Sequence, residues 1–172
     1  MQLILGESAS VIRAERGVLI VETRGGWICA NAGIDASNVP GEDAVVLLPE
    51  DADATARRLR AEVAAAAGVA PAVVIADSFG RPWRVGQTDV AIGCAGLAAL
   101  DDWRGRTDAH DRPLRATVVA IADEVAAAAD LVRAKDAGAP AALVRGLGEY
   151  VTAEDGPGAA PLRRGRAEDL FR

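Results

Sequence analysis

The chain has 172 residues, of which 51% are hydrophobic and 26% are charged, and its formal net charge at pH 7 is −6. This length and apolar content fit one domain with its own core, and the negative charge argues against a nucleic-acid groove or an anionic membrane surface. No apolar run is long enough to cross a bilayer, and no signal peptide is recognisable. We therefore expect a cytoplasmic protein with neither a nucleic-acid nor a membrane partner. Cys29 and Cys94 have no metal-ligand spacing and are predicted to be small buried side chains.

The first half of the chain predicts a hairpin and a long helix. Apolar spacing predicts a short helix over residues 3–14, and two strands, residues 17–26 and 27–33, are joined by a Gly-Gly turn. A third strand is predicted at residues 44–49, where a proline ends it. The clearest helix runs over residues 51–68, with an aspartate to cap its start and a glycine to end it. Its predicted apolar face consists of Ala56, Leu59, Val63 and Ala66.

The second half alternates strands and helices. Strands are predicted at residues 73–77, 88–96 and 141–146, with a charged loop between the first two. A second long helix is predicted over residues 116–136, and a last helical turn lies near Glu168. Because the N-terminal hairpin excludes a purely wound parallel sheet, we expect an α+β fold with a mixed sheet and two long helices.

Acids and a hydroxyl follow predicted strands. Asp35 comes after the second hairpin strand, and Asp77 and Ser78 end the strand that begins at residue 73. Side chains at strand ends converge on clefts, and a few oxygen ligands are enough to hold Mg²⁺ while leaving room for phosphate. The same residue types are also common formers of turns and caps, and their spacing alone does not decide between the two interpretations.

Two arginines lie in the charged loop that follows these acids. Arg81 and Arg84 flank a Pro-Trp pair, and nearby glycines allow the backbone to bend tightly. Beside a metal-binding acid, two guanidinium groups can bind phosphate oxygens. This pattern predicts a catalytic role for Arg81 and Arg84. The alternative is a solvated loop with internal Arg–Asp pairs.

Other sources of chemistry find less support in the sequence. The single histidine, His110, has no histidine partner for a zinc site, and no G-x-S-x-G elbow supports a hydrolase triad. Neither a P-loop nor a G-x-G-x-x-G follows a strand. A bound nucleotide would therefore need some other cradle for its phosphates.

Seven stretches, taken in order, resemble the coenzyme F420-0:L-glutamate ligases, also called coenzyme F420 γ-glutamyl ligases. The resemblance is closest to the N-terminal ligase domain of the actinobacterial bifunctional protein. It covers the chain nearly end to end, and the long block from Asp77 to Gly93 is its most specific part. The stretches are ANAGIDASN, LLPED, DSFGRPWRVGQTDVAIGCAG, RGRTDAHDRPL, ADEVAAAADLV, ALVRG and EDLFR.

The resemblance implies a GTP-dependent amide ligase that needs a divalent metal, Mg²⁺ or Mn²⁺. Such ligases activate the terminal carboxylate of the deazaflavin coenzyme F420 precursor as an acyl phosphate. The amine of L-glutamate then attacks, and glutamate is added in γ linkage. The family's fold assembles as an intertwined dimer, so the resemblance also implies a homodimer.

Several site residues follow from the resemblance. Asp35 and Asp77 match the family's first metal site, and Ser78 matches a hydroxyl ligand of a second metal. Asn38 matches a nucleotide contact. Residues 133–140, which include Arg133 and Lys135, fall where the family has a nucleotide-binding loop.

The sequence departs from the family at two places. Lys135, the only lysine of the chain, falls about where many members place a Gln or Glu that ligates the second metal. Members also begin upstream of the position that matches Met1, so residues 1–172 would form a single ligase-like domain without the family's N-terminal segment. These departures keep two alternatives open: a non-catalytic homologue that binds coenzyme or metal, and a metal-dependent phosphohydrolase.

Overall fold

The elements below come from a computed structural model that describes residues 1–41, 43–133 and 135–170. The protein is a mixed α/β structure with small antiparallel sheets and few helices. The predicted α+β class is therefore confirmed in this coarse form, whereas the sheets of the described residues are antiparallel and not mixed. The helices are α1 (Gln2–Glu7), α2 (Ala52–Ala67) and α3 (Ile121–Asp130); the strands are β1 (Ser8–Glu15), β2 (Val18–Thr23), β3 (Ile28–Ala30), β4 (Val73–Arg81), β5 (Arg84–Ala95), β6 (Asp101–Asp102) and β7 (Val118–Val119).

The first predicted helix is wrong beyond Glu7, where the chain turns into strand β1. Arg16 and Gly17 both have positive φ angles, 53° and 79°, which suit the tight turn that joins β1 to β2. The β-branched residues Val11 and Ile12 of β1 favour a strand once a partner strand is available. The predicted hairpin of β2 and β3 is confirmed, and β1 extends it into a three-stranded sheet.

Two other predicted strands are not formed. Val46 makes only an isolated bridge with Asp35, in which the two backbone nitrogen-to-oxygen distances are 3.1 and 2.8 Å. Residues 141–146 form no regular element, and Leu143 is 74% exposed. A short apolar run becomes a strand only beside another strand, and that neighbour is decided by the tertiary fold.

Helix α2 is confirmed with both of its caps. The Asp51 carboxylate accepts a hydrogen bond from the backbone N–H of Ala54 at 2.7 Å, and Gly68 ends the helix at φ 70°. The buried face differs from the prediction because it includes a charged side chain. It consists of Ala52, Ala56 and Arg60, whereas the predicted Val63 is exposed.

The second long helix is wrong in extent. Helix α3 has 10 residues, and the β-branched residues Val118 and Val119 before it form strand β7, which pairs with β6. In the remaining part of the predicted helix, residues 131–133 and 135–136 form turns and a bend. Four residues lie outside the described residues: Glu42, Ala134 of the predicted second helix, and Phe171 and Arg172 of the EDLFR stretch.

Strands β4 and β5 form a long hairpin, and both α2 and α3 pack against β5. This hairpin replaces the predicted charged loop, because ladder pairing continues from Val73–Ala95 to Arg81–Arg84. Its core is built from small residues. An added Cβ on Gly93 would lie 2.4 Å from the backbone carbon of Ala52, so this crossing of helix and strand requires glycine.

Both cysteines are buried and unpaired, as predicted. Burial raises the pKa of the Cys29 and Cys94 thiols to about 11 in each case. Neither thiol is therefore activated as a nucleophile at neutral pH. In the part of the chain that the structure describes, no helix is both long enough and apolar enough to span a membrane.

Candidate active site

A cavity of about 560 Å³ opens beside the hairpin of β4 and β5. Its wall brings together side chains from both strands, from the end of α3 and from the loops near residues 38 and 135. Five of the predicted site residues lie in this wall although they are spread over about a hundred positions of the sequence. They are Asn38, Asp77, Ser78, Arg133 and Lys135.

Strand pairing places a second acid in the cavity. Ser78 of β4 lies opposite Asp89 of β5, and directly opposite residues of an antiparallel pair have neighbouring side chains. The Ser78 hydroxyl donates a hydrogen bond to Asp89 Oδ1 at 2.6 Å. The other carboxylate oxygen of Asp89 accepts from Arg133 Nη2.

Sequence reasoning did not assign Asp89 to the site. It is only 3% exposed, and a buried carboxylate requires a partner, which Arg133 supplies. The available signal was an acid directly before the apolar run Val90–Ile92. The pairing of Asp89 with Arg133, 44 positions away, is decided by the packing of α3 on β5.

The Ser78 hydroxyl has a fixed polarity. An ionised carboxylate only accepts hydrogen bonds, so the single hydroxyl hydrogen of Ser78 is committed to Asp89. The lone pairs of Ser78 Oγ are therefore left to accept hydrogen bonds. One of them accepts a hydrogen bond from Lys135 Nζ at 3.2 Å.

Asp77 carries a carboxylate in an unfavourable electrostatic environment. Burial raises its pKa most, and the charges of Asp89 and Asp35 raise it further; the Ser78 backbone N–H and Lys135 act in the opposite direction. Three acids thus concentrate negative charge at one edge of the hairpin. A cation at this position would stabilise the ionised form of Asp77.

Asp35 is exposed and lies beside the cavity wall. Its two carboxylate oxygens accept hydrogen bonds from the backbone N–H and the hydroxyl of Ser37, each at 2.7 Å. These bonds lower the pKa of Asp35 most, and Lys135 lowers it further. Asp35 is therefore held ionised by its own loop, while its charge acts on Asp77.

Three consecutive left-handed residues lead into the Asp35 loop. Asn31, Ala32 and Gly33 have φ angles of 51°, 59° and 68°, a conformation that residues other than glycine rarely adopt. The Asn31 side chain accepts a hydrogen bond from the backbone N–H of Leu19 at 3.1 Å. An added Cβ on Gly33 would lie 2.7 Å from Leu48, so the turn is closely packed where it directs the loop.

Arg81 and Arg84 lie at the far end of the hairpin. They are paired across its turn, both are exposed, and neither lines the cavity. Arg81 lies three positions after Ser78 in β4, which corresponds to roughly 10 Å along the strand. Their catalytic role remains a prediction.

The side-chain oxygens of Asp77 and of its neighbours are the atoms that could hold a metal. Among residues 1–41, 43–133 and 135–170, no group of three His, Cys, Asp or Glu side chains is arranged to hold a metal ion. Two carboxylates, Asp77 and Asp35, and the Ser78 hydroxyl nevertheless form the hard-oxygen donor set that Mg²⁺ and Mn²⁺ accept when water and phosphate complete the coordination. The donor chemistry fits such an ion.

A larger cavity of about 640 Å³ contains none of the predicted site residues. Three of its charged side chains, Asp51, Asp53 and Arg163, have structural partners. Asp53 accepts hydrogen bonds from the backbone N–H groups of Cys94 and Ala159 at 2.9 and 2.8 Å, and Asp51 caps α2. Arg163 stacks on Trp27, with 5.4 Å between the guanidinium carbon and the ring centre. The smaller cavity is therefore the candidate active site.

Comparison with known proteins decides the family. The sequence model of the F420-0:gamma-glutamyl ligases matches residues 1–146. The chain belongs to the F420-0:gamma-glutamyl ligase family. The family resemblance inferred from the sequence is thereby confirmed.

Relatives named coenzyme F420:L-glutamate ligase match all or most of the length of this family member. The coenzyme F420:L-glutamate ligase of Methanopyrus kandleri is 42% identical over 174 residues, covering 100% of this chain and 69% of that protein. The ligase of the same name from Methanothermobacter thermautotrophicus is 44% identical over 173 residues, covering 100% of this chain and 68% of that protein. The one from Haloarcula marismortui is 50% identical over 145 residues, covering 84% of this chain and 56% of that protein.

Proposed function

We propose that this protein is a ligase that adds L-glutamate in γ linkage to the coenzyme F420 precursor, with GTP and a divalent metal ion, Mg²⁺ or Mn²⁺. The observation that carries the proposal is the family match over residues 1–146. It is joined by 42% and 44% identity, over the whole of this chain, to two proteins named coenzyme F420:L-glutamate ligase. The cavity supports it with the residue types that such chemistry needs.

The reaction transfers the γ-phosphoryl group of GTP to the terminal carboxylate of the precursor. The resulting acyl phosphate is attacked by the amine of glutamate, so that an amide bond forms and GDP and phosphate leave. This chemistry needs reactants to be positioned and charge to be neutralised, without a protein nucleophile. It agrees with a cavity lined by acids and cations, while both thiols are buried elsewhere.

The cationic side of the cavity is the proposed phosphate site. The guanidinium of Arg133 is fixed by Asp89, and its buried Nε atom has no hydrogen-bond partner among the described residues. That donor is available to an anionic ligand. The Asn38 side chain donates to the Lys135 backbone oxygen at 3.0 Å, which holds the loop with Lys135 over the cavity.

The acidic side is the proposed metal site. Asp77 and Asp35 would hold the ion beside the Ser78 hydroxyl, and the role of the ion when bound is to neutralise charge on the phosphate oxygens. The carboxylates supply the ligand charge, and Asp89 orients the hydroxyl by accepting its hydrogen.

The direct test is an assay of glutamate ligation. We expect the protein, incubated with the coenzyme precursor, GTP, Mn²⁺ and L-glutamate, to yield a product heavier by one glutamyl residue, detected by mass spectrometry. Omitting GTP or chelating the metal should abolish the product. Phosphate release that does not depend on glutamate would instead indicate a phosphohydrolase. Coenzyme binding without GTP binding, seen by calorimetry, would indicate a non-catalytic homologue.

We further propose that the protein is a homodimer, because one chain leaves too much surface uncovered. Its accessible surface is 11722 Å², whereas a compact monomer of 17.7 kDa exposes about 8,000 Å². Strand β1 is a sheet edge, and Val11 and Ile12 on it are 47% and 41% exposed.

Light scattering coupled to gel filtration measures the mass in solution. We expect twice the 17.7 kDa of one chain, with no concentration dependence in the micromolar range, because thousands of square ångströms are available for burial. A protein that elutes as a folded monomer over that range would contradict the dimer.

A further inference from the structure

The loop after α3 carries the only lysine of the chain into the acidic side of the cavity. Lys135 Nζ donates to Ser78 Oγ at 3.2 Å. The hydroxyl hydrogen of Ser78 points to Asp89, so the ammonium takes a lone pair that a metal ion would otherwise use. The contact is thus one between a cation and an oxygen ligand.

The position of the lysine is fixed from two sides. Two residues earlier, Arg133 is anchored to the buried Asp89. The Lys135 backbone oxygen itself accepts a hydrogen bond from Asn38 at 3.0 Å. The loop is therefore tied both to the hairpin and to the segment that carries Asp35, and the ammonium lies between them.

The charge of the lysine reaches both predicted metal-binding acids. Lys135 shares the cavity wall with Asp77, and its backbone oxygen is bound by Asn38, three residues after Asp35. A lysine side chain has three donors and no acceptor, so it cannot ligate a metal while it is protonated. It can only occupy the place of a cation or repel one.

We propose that the Lys135 ammonium is a built-in cation of this site, holding the Ser78 lone pair and the charge between Asp35 and Asp77 that a second divalent ion would otherwise take. The site then binds one divalent ion, and Ser78 serves the lysine. The inference deepens the proposed function by specifying its metal requirement, and it rests on that function only for the first ion.

The test is Mn²⁺ binding in the absence of nucleotide and coenzyme. Calorimetry and the loss of the free-Mn²⁺ electron paramagnetic resonance signal give the stoichiometry and affinity for the wild type and for Lys135→Gln. The variant offers an amide oxygen in place of the ammonium. We expect one Mn²⁺ per chain in the wild type, and in Lys135→Gln either a second ion or binding about tenfold tighter.

Two variants control for charge and folding. Lys135→Arg keeps a cation in the loop and should keep the wild-type stoichiometry. Arg145→Gln removes one positive charge from an exposed position outside the cavity wall and should leave Mn²⁺ binding unchanged. Because Lys135 is exposed, its replacement should leave the melting temperature within a few degrees of wild type.

The possible results separate this inference from the proposed function. Two ions in the wild type, or unchanged or weaker Mn²⁺ binding in Lys135→Gln, overturns the role of the lysine. A third result is that the wild type binds no Mn²⁺ whereas Lys135→Gln does. That result supports the lysine as the resident cation, and it contradicts the metal requirement of the proposed function. If the Mn²⁺-binding results are as expected but the ligation assay gives no product, the proposed reaction is contradicted and the role of the lysine is still supported.

Discussion

Replacing Asp77 with asparagine should abolish metal-dependent ligation and leave the protein folded. The substitution removes a charge at constant size from the centre of the proposed metal site. We expect turnover to fall by roughly a hundredfold or more, as when one charge-stabilising group is removed from an active site. Stability should not fall, because burial and two neighbouring acids already raise the pKa of Asp77 and disfavour its ionised form in the folded state.

Two measurements on the same preparation check this prediction. Product formation at saturating substrates gives the activity, and thermal unfolding gives the stability near neutral pH. Asp111→Asn is the matched control: Asp111 is exposed and has a φ angle of 58°, which asparagine adopts readily, so both quantities should stay at wild-type values. If Asp77→Asn retains full turnover, Asp77 is only a structural residue of strand β4 and the proposed metal site is wrong.

Replacing Arg60 with methionine should produce the largest loss of stability. The Arg60 side chain is 8% exposed and donates to four oxygens of two chain segments. Its partners are the backbone oxygens of Pro71, Thr152 and Ala153, at 3.0, 2.8 and 3.1 Å, and Asp155 Oδ1 at 2.7 Å. Methionine would fill much of the volume but would leave these acceptors unpaired.

We expect the free energy of unfolding to fall by about 3–5 kcal/mol, because each part-buried backbone oxygen that loses its donor costs about 1–3 kcal/mol. For a chain of this length, that corresponds to a melting temperature lower by roughly 10 °C. Arg58→Met is the matched control on the same helix, because Arg58 is 66% exposed and its single pairing with Glu62 spans 3.5 Å. A drop of similar size in both variants would show that the effect belongs to the helix surface and not to the buried contacts.

Local signals predicted the elements whose ends are determined by nearby residues. Helix α2 begins at the Asp51 cap and ends at Gly68, as inferred, because capping and left-handed glycine act within one turn. The β2–β3 hairpin formed for the same reason. Residues 8–14 did not follow their apolar spacing, since a short window fits a helix and a strand alike until pairing with β2 decides.

The candidate site was predicted in part. Asp77, Ser78, Asn38, Arg133 and Lys135 do line one cavity, although the sequence places them far apart. Asp89 was not assigned to the site, and its role depends on pairing across the hairpin and on the packing of α3.

The arginines of the hairpin were placed in a loop by the sequence, and the structure places them in paired strands. Arg81 and Arg84 are near the acids in sequence, and the strands continue to them, so they lie at the far end of the hairpin and outside the cavity wall. The continued ladder pairing was not predicted, and the catalytic role of the two arginines stays a prediction.

The sequence by itself determined the family, the capped helix, the burial of both cysteines and the residue types of the candidate site, because these depend on residue identity and on neighbours within a few positions. Only the tertiary structure decided that Asp89 orients the Ser78 hydroxyl, that Lys135 takes its lone pair, and that Arg60 is buried. Those contacts join residues 11 to 95 positions apart. Their physical reason is that a buried charge must find a partner, and which partner is within reach is set by how strands pair and helices pack.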